Sequence, residues 1–268
     1  MKTEEPSIVF IGTSSAKTSL KRFHSSLLVK SHSFNLLIDC GDGVSRALLS
    51  QGISLDLIDG ILFSHLHPDH SAGFASLIVQ MKQLKREKKL RIFCHKNLAE
   101  TLRMFLYYSF VFTERSSFEL EYCEFEHGEK VVLSKDFYFT SKQNSHLDEY
   151  VDYLSKKKIG FASSSFLLIL GEQKVYFSGD IGSQRDLYLF EDQKPEIIIT
   201  EASHIKWENI LDFIEAKNPE KVYLTHLNDE IEKELKRKIK NLPKELEKKI
   251  ILASDGLSIR IKKSLLIK

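Results

Sequence analysis

His65-Leu66-His67-Pro68-Asp69-His70 places four metal-binding side chains within six positions, directly after the apolar run Ile61-Leu62-Phe63-Ser64. Imidazoles and carboxylates are the ligands of hydrolytic zinc, manganese and iron centres, which keep a coordination position open for water. Four ligands this close cannot all turn onto one ion without straining the backbone between them. Two adjacent ions, each taking a pair, fit the spacing better. Ten histidines in 268 residues will sometimes cluster on a solvated loop, but four ligands at the end of an apolar strand exceed what such a loop supplies. The run therefore reads as half of a two-ion site, and the rest of the chain has to complete it.

Composition sets the setting. At 42% hydrophobic the chain can bury a full core, and no Gly/Ser/Pro-rich linker divides it, so residues 1–268 are expected to form a single domain. Lys and Arg number 39 against 37 Asp and Glu, a net +2 that does not announce a nucleic-acid binder. The lysine-dense stretches 82–89 and 156–158 read as solvated surface. Cys40, Cys94 and Cys123 are widely spaced with no CxxC pair, as free thiols in a reducing compartment would be. No apolar run approaches the roughly 20 residues that span a bilayer, and no charged-then-apolar leader precedes the first strand. A cytoplasmic protein with no membrane partner is expected.

Apolar or β-branched runs predict strands at 8–11, 26–29, 35–38, 60–63, 90–94, 137–140, 166–170, 175–178, 196–200, 221–225, 250–253 and 257–261. Helical periodicity marks 72–88, 97–110, 205–217 and 229–249, the last broken at Pro243. Early strands follow one another closely, which suggests antiparallel hairpins, while later ones alternate with helices. Ile61-Leu62-Phe63-Ser64-His65 and Val222-Tyr223-Leu224-Thr225-His226 echo each other, as two equivalent strand ends of a pseudo-two-fold sandwich would. The aromatic stretch 102–112 is too apolar for a fully exposed surface; a core face, a pocket wall and a dimer contact are all open to it.

Two ions need further ligands at strand ends, and the chain has them. His146 follows the strand before it in Gln143-Asn144-Ser145-His146. Asp180 closes Val175-Tyr176-Phe177-Ser178-Gly179-Asp180, His226 closes Tyr223-Leu224-Thr225-His226, and Asp39 closes Leu36-Leu37-Ile38-Asp39. Each alone is as readily a turn or cap residue; together they supply the number that two coordination shells require.

In this order the residues resemble the metallo-β-lactamase superfamily, with every one of its five metal motifs occupied and the match running from Gly12-Thr13-Ser14-Ser15 to the last strands. The resemblance implies an α/β fold, an αββα four-layer sandwich with a dinuclear site at one edge between the sheets. It implies that His65, His67 and His146 hold one ion, that Asp69, His70 and His226 hold the other, and that Asp180 bridges them. Asp39 would orient a ligand histidine through its other ring nitrogen. Two divalent ions are implied, zinc first, with manganese or iron also accepted by such ligands.

The aspartate in Ser178-Gly179-Asp180, the run Glu201-Ala202-Ser203-His204 after an apolar strand, and Leu224-Thr225-His226-Leu227 resemble the ribonuclease Z and cyclic-phosphodiesterase branch. That branch carries a further histidine about 22 residues before the last ligand, and His204 stands 22 positions before His226. The implied function is phosphodiester hydrolysis on a small-molecule, cyclic or nucleotide-derived substrate, or on an RNA end. Two cations would activate a water and neutralise phosphate charge. His204 would protonate the departing alkoxide or steady the oxyanion, and Asp69 would accept the water's proton. Lactone or thioester hydrolysis is the alternative chemistry, and a non-catalytic scaffold in an RNA-processing assembly the alternative class. A homodimer is a further expectation. Ribonuclease Z carries a long tRNA-gripping arm between its third and fourth metal motifs. Here Asp180 stands only 34 positions after His146, which leaves no room for it. Pro68 in place of glycine and Leu227-Asn228-Asp229 in place of Phe-Ser-x-Arg-Tyr are further departures, so tRNA processing is not expected.

Overall fold

The computed structural model describes residues 5–157 and 160–262. In chain order its first half runs β1 (Ser7–Gly12), β2 (Ser26–Lys30), β3 (Asn35–Ile38), α1 (Val44–Ser50), β4 (Gly60–Leu62), α2 (Pro68–Ser71), α3 (Phe74–Gln83), β5 (Leu90–His95), α4 (Lys96–Tyr108) and β6 (Leu120–Phe125). The second half runs β7 (Lys130–Ser134), β8 (Phe137–Gln143), α5 (Val151–Lys157), β9 (Ser164–Leu170), β10 (Gln173–Phe177), β11 (Ile197–Glu201), α6 (Trp207–Lys217), β12 (Lys221–Thr225), α7 (Asp229–Lys240), α8 (Lys244–Glu247), β13 (Ile250–Leu252) and β14 (Ser258–Arg260).

The strands form two seven-stranded sheets, ordered β14-β1-β2-β3-β4-β5-β6 and β13-β12-β11-β10-β9-β8-β7. Side chains alternate across each strand, and that alternation sorts the apolar residues into three cores. Phe166, Leu168 and Leu170 of β9 join Ile8, Phe10, Leu36, Ile38, Phe137 and Phe139 between the sheets. Leu167 and Ile169 of the same strand face the other way, onto Ile210, Phe213 and Ile214 of α6. Leu37 faces α1, α3 and α4 through Leu48, Leu77 and Leu102. Three cores between four layers make the expected αββα sandwich. Truncating Phe139 or Phe166 to Ala would open a cavity in the central core at a cost of about 3–5 kcal/mol.

Each sheet pairs three neighbours antiparallel and then three parallel. The switch falls where helices begin to link the strands, because a parallel neighbour needs a crossover. In the first sheet that is already at β3, so the early strands are not all hairpins. The pseudo-two-fold relation is real, but it equates β3 with β10, β4 with β11 and β5 with β12. The matching His65 and His226 motifs therefore end strands that are not equivalent.

Other differences have local causes. The helix expected over 72–88 stops at Gln83 because Lys85 turns left-handed, with φ 55. Arg86 then turns inward and is fully buried, donating to the main-chain oxygens of Leu55, Ile58, Lys88 and Lys89. The 82–89 stretch is thus solvated apart from Arg86. Lys156 and Lys157 are exposed, whereas Lys158 lies outside the described residues. The stretch 229–249 divides into α7 and α8 around Pro243. In the aromatic stretch, Leu102 and Leu106 enter the core while Tyr107, Tyr108 and Phe110 are 58%, 72% and 82% exposed. Between His146 and Asp180 the chain forms a short 3-10 turn, α5, β9 and β10, with no extended arm among the described residues. No helix among the described residues is long and apolar enough to cross a membrane.

Candidate metal centre

The sequence-predicted residues all come from the C-terminal ends of strands or the turns after them. Asp39 follows β3, His65 and His67 follow β4, and α2 carries Asp69 and His70. His146 follows β8, Asp180 follows β10, His204 follows β11 and His226 follows β12. Three of these turns go through left-handed backbone: Asp39 has φ 62, Gly179 φ 59 and His226 φ 58. Glycine takes that conformation freely. For Asp39 and His226 it is costly, and surrounding bonds have to hold it. Those bonds exist. Asp39 accepts from the Ser64 N–H at 2.8 Å, from Ser64 Oγ at 2.7 Å and from His70 Nδ1 at 2.7 Å. His226 lies between Asp69 Oδ2, 2.9 Å from its Nε2, and Ser203 Oγ, 2.7 Å from its Nδ1.

Four convergent groups with ligand atoms within 4.8 Å of one another result among the described residues; the two without His204 are His65, His67 and His146, and Asp69, His70, Asp180 and His226, while His204 joins His146 and Asp180 in one of the others and Glu201 and His226 in the last. His67 Nδ1 and His146 Nε2 are only 3.0 Å apart. Asp180 stands between the two groups that lack His204, with Oδ1 3.2 Å from His70 Nε2 and Oδ2 3.3 Å from His226 Nε2 and 3.8 Å from His146 Nε2. All seven side chains expected as ligands therefore meet.

Their chemistry fits divalent cations. The Nε2 atom of His65 is buried without a hydrogen-bond partner, a state that costs free energy unless another group answers it. Burial, with the neighbouring histidines, pushes His65 well below the ordinary histidine range and His146 down to about 4, and it lowers His67 as well. All three thus offer neutral nitrogens, the form that binds metal. The other group is negative. Burial alone would raise Asp69, but the His226 hydrogen bond and the charges of His70 and His226 hold it at about 2. Burial would likewise raise Asp180, yet His226 and His70 keep it well below the carboxylate range. Against its own burial, His70 is held well above the ordinary histidine range by Asp180 and Asp39. That proton answers buried negative charge which a cation would answer more fully. A carboxylate as acidic as Asp69 is a ready ligand and a weak base.

His204 belongs to the other two groups, its side chain 39% exposed and its Nδ1 3.8 Å from Asp180 Oδ2. Glu201, buried at the end of β11, approaches the same nitrogen to 3.4 Å and accepts the His204 main-chain N–H at 2.9 Å. Contact with Glu201 raises His204 to about 9, with the charges of Asp180 and Asp69 adding to the effect. His204 is thus a cation at neutral pH, set beside the metal ligands and open to the pocket.

Two residues here went unassigned in the sequence. Glu201 was visible in Glu201-Ala202-Ser203-His204, three positions before the histidine, but acids at strand ends are commonplace. Asp186 carried only the Ser183-x-x-Asp186 capping-box pattern. Its Oδ2 accepts from the main-chain N–H groups of Ser145 (3.2 Å), Gly182 (3.0 Å) and Ser183 (3.2 Å) and from Ser145 Oγ (2.7 Å). Its own carbonyl accepts from Tyr176 Oη of β10 at 2.6 Å. Asp186 thereby ties the His146 loop to the Asp180 loop. A Cβ at Gly182 would lie 2.3 Å from Ser145 O, so no other residue fits where the loops cross.

The centre opens into a pocket of about 820 Å³ lined by His67, Asp69, His146, Asp180, His204 and His226. Asp148 and Glu149 also line it, and among the described residues Arg185 is the one Lys or Arg side chain in its lining.

A family model described as Anti-Pycsar protein Apyc1 matches residues 6–243. The anti-Pycsar protein Apyc1 of Bacillus phage 010DV004 is 26% identical over 253 residues, covering 84% of this chain and 90% of that protein. A ribonuclease Z of Gemmatimonas aurantiaca is 27% identical over 175 residues, covering 65% of this chain and 51% of that protein. The chain thus spans about half the length of that relative. The metallo-β-lactamase fold protein YhfI from Bacillus subtilis superposes with a TM-score of 0.71 at 17% identity, over 96% of this chain and 99% of that one. The sandwich has the metallo-β-lactamase fold.

Proposed function

The chain belongs to the anti-Pycsar protein Apyc1 family, and we propose that it hydrolyses a small phosphodiester, cyclic or nucleotide-derived, with two divalent metal ions. The observation that carries this reading is the pocket over the two groups and the charge that lines it. A polyanionic RNA would meet Asp148 and Glu149 with Arg185 and His204 as the cationic side chains of the lining to offset them, whereas a diester bearing one negative charge meets less repulsion. The near full-length match to the phage protein and the missing arm favour the same small substrate.

His65, His67 and His146 would hold the first ion, Asp69, His70 and His226 the second, with Asp180 shared. Zinc suits this set best, and manganese or iron is acceptable to it. Bound ions supply Lewis acidity toward the phosphate oxygens and an activated water. His204 meets the substrate from the pocket side. As a cation it donates to the developing oxyanion or gives its proton to the departing alkoxide, and Glu201 keeps it charged for that task. Asp69 serves as a ligand, and its low pKa leaves it little capacity as a base. Asp39 fixes the His70 ring, so that the free Nε2 faces the centre.

The exposed Tyr107, Tyr108 and Phe110 at the end of α4 suit a homodimer contact. The three free cysteines suit the reducing cytoplasm.

The test is hydrolysis of bis-p-nitrophenyl phosphate and of a 3′,5′-cyclic nucleotide by zinc-loaded protein. Both activities should vanish with chelator and return with zinc or manganese. A fully metallated sample inert to phosphodiesters but active on a lactone or thioester would overturn the reading. Two bound metals with no hydrolysis of any ester would make the protein a scaffold.

A further inference from the structure

Beside the metal pocket lies a second hollow, of about 260 Å³. The two share His67 and Tyr150, so the hollow opens directly onto the first-ion ligands. Its character is different. Histidines and carboxylates line the metal pocket, while Leu66, Leu98, Leu147, Tyr150, Tyr153 and Phe161 give the hollow largely apolar walls. A polar reaction centre continuous with a carbon-lined recess fits a substrate with one charged part and one flat, uncharged part.

Resting on the phosphodiesterase reading, we propose that this hollow is a base subsite, taking the nucleobase of a nucleotide substrate with Tyr150 as its stacking platform. Tyr150 ends the 3-10 turn Asp148–Tyr150, and Tyr153 follows three positions later on α5, so both rings lie on one side of the chain. They are 40% and 61% exposed, so neither ring is consumed by the core. The Tyr150 ring stands nearly perpendicular to the His67 imidazole, at 87° with centroids 6.1 Å apart. It is therefore close enough to the first ligand group for one small molecule to reach both. Stacking accepts any base, because every base has a π face, whereas discrimination needs hydrogen bonds. Among the described residues that line the hollow, Thr101 and His67 are the polar side chains besides the tyrosines.

The experiment compares binding of a nucleoside 5′-monophosphate and of ribose 5-phosphate to zinc-loaded protein by calorimetry. The two ligands share sugar and phosphate and differ in the base. The nucleotide should bind more tightly by roughly 5- to 150-fold, the range of one base–aromatic stack. In Tyr150→Ala the ratio should collapse toward one through weaker nucleotide binding. Tyr150→Phe should keep it, and Tyr153→Ala should lower it independently. Equal affinities in the unaltered protein would overturn the subsite, as would equal weakening of both ligands in Tyr150→Ala. If the base-dependent ratio holds while no phosphodiester is hydrolysed, the catalytic reading fails and the subsite stands. If hydrolysis occurs without the ratio, the reverse is true.

Discussion

The Glu201 carboxylate sits 3.4 Å from Nδ1 of His204 and at the same time accepts that residue's main-chain N–H, so one buried acid fixes both the position and the charge of the pocket histidine. Raised to about 9, His204 favours the folded state fully below the ordinary histidine pKa, and that contribution is lost as pH rises through about 9. In metal-free protein the His204 ring resonance should titrate near 9, and Glu201→Gln should move the midpoint down toward 6.5. An unchanged midpoint would remove Glu201 from this role.

His204→Ala should cut turnover by about 10²–10⁴, the range for losing a general acid, while leaving metal stoichiometry unaltered. Elemental analysis beside kinetics separates the outcomes. Loss of an ion in the variant would make His204 a ligand.

Asp39→Ala strips the partner from His70 Nδ1 and from the hydroxyl and N–H of Ser64 in a fully buried site. Metal affinity, read by competition with a chromophoric chelator, should fall about 10- to 100-fold. The metal-free protein should also lose roughly 1–3 kcal/mol or more in a denaturant titration, because buried donors are left unmet.

Asp186→Ala removes the acceptor shared by four donors across two ligand-bearing loops. The His65, His67 and His146 site should weaken about 10- to 100-fold, while the site built on Asp69, His70 and His226 retains its ion. Stepwise cobalt(II) titration followed by absorption would resolve the two, and Asp186→Asn, which keeps one acceptor oxygen, should recover part of the loss. Equal weakening of both sites would make Asp186 a general support of the fold.

Most of the candidate ligand set was legible because its signals are local. Four ligands in six residues, and single histidines or aspartates closing apolar strands, can be seen without knowing what lies across the fold. Short or edge elements were harder. In β6, Leu120, Tyr122 and Cys123 are only partly buried, and in β7 Val132 is 61% exposed, so such strands need little of the apolar density by which a strand is noticed. Arg86 was unreadable within a lysine-rich stretch, since only the fold supplies the four carbonyl oxygens that let it be buried.

The layers and the side-chain types at the strand ends were written in the chain: period-two alternation commits each strand face to a core, and imidazoles and carboxylates close the strands. Tertiary structure alone decided which acid serves which histidine. Ser145 and Asp186, 41 positions apart, meet once β8 and β10 flank β9 in one sheet, and His67 and His146, 79 apart, meet only when the two sheets pack face to face. It also decided that Glu201 stands beside His204, that His226 bonds Asp69, and that Tyr150 stands beside His67. Burial and neighbouring charge come with those contacts, and neither exists in an extended chain.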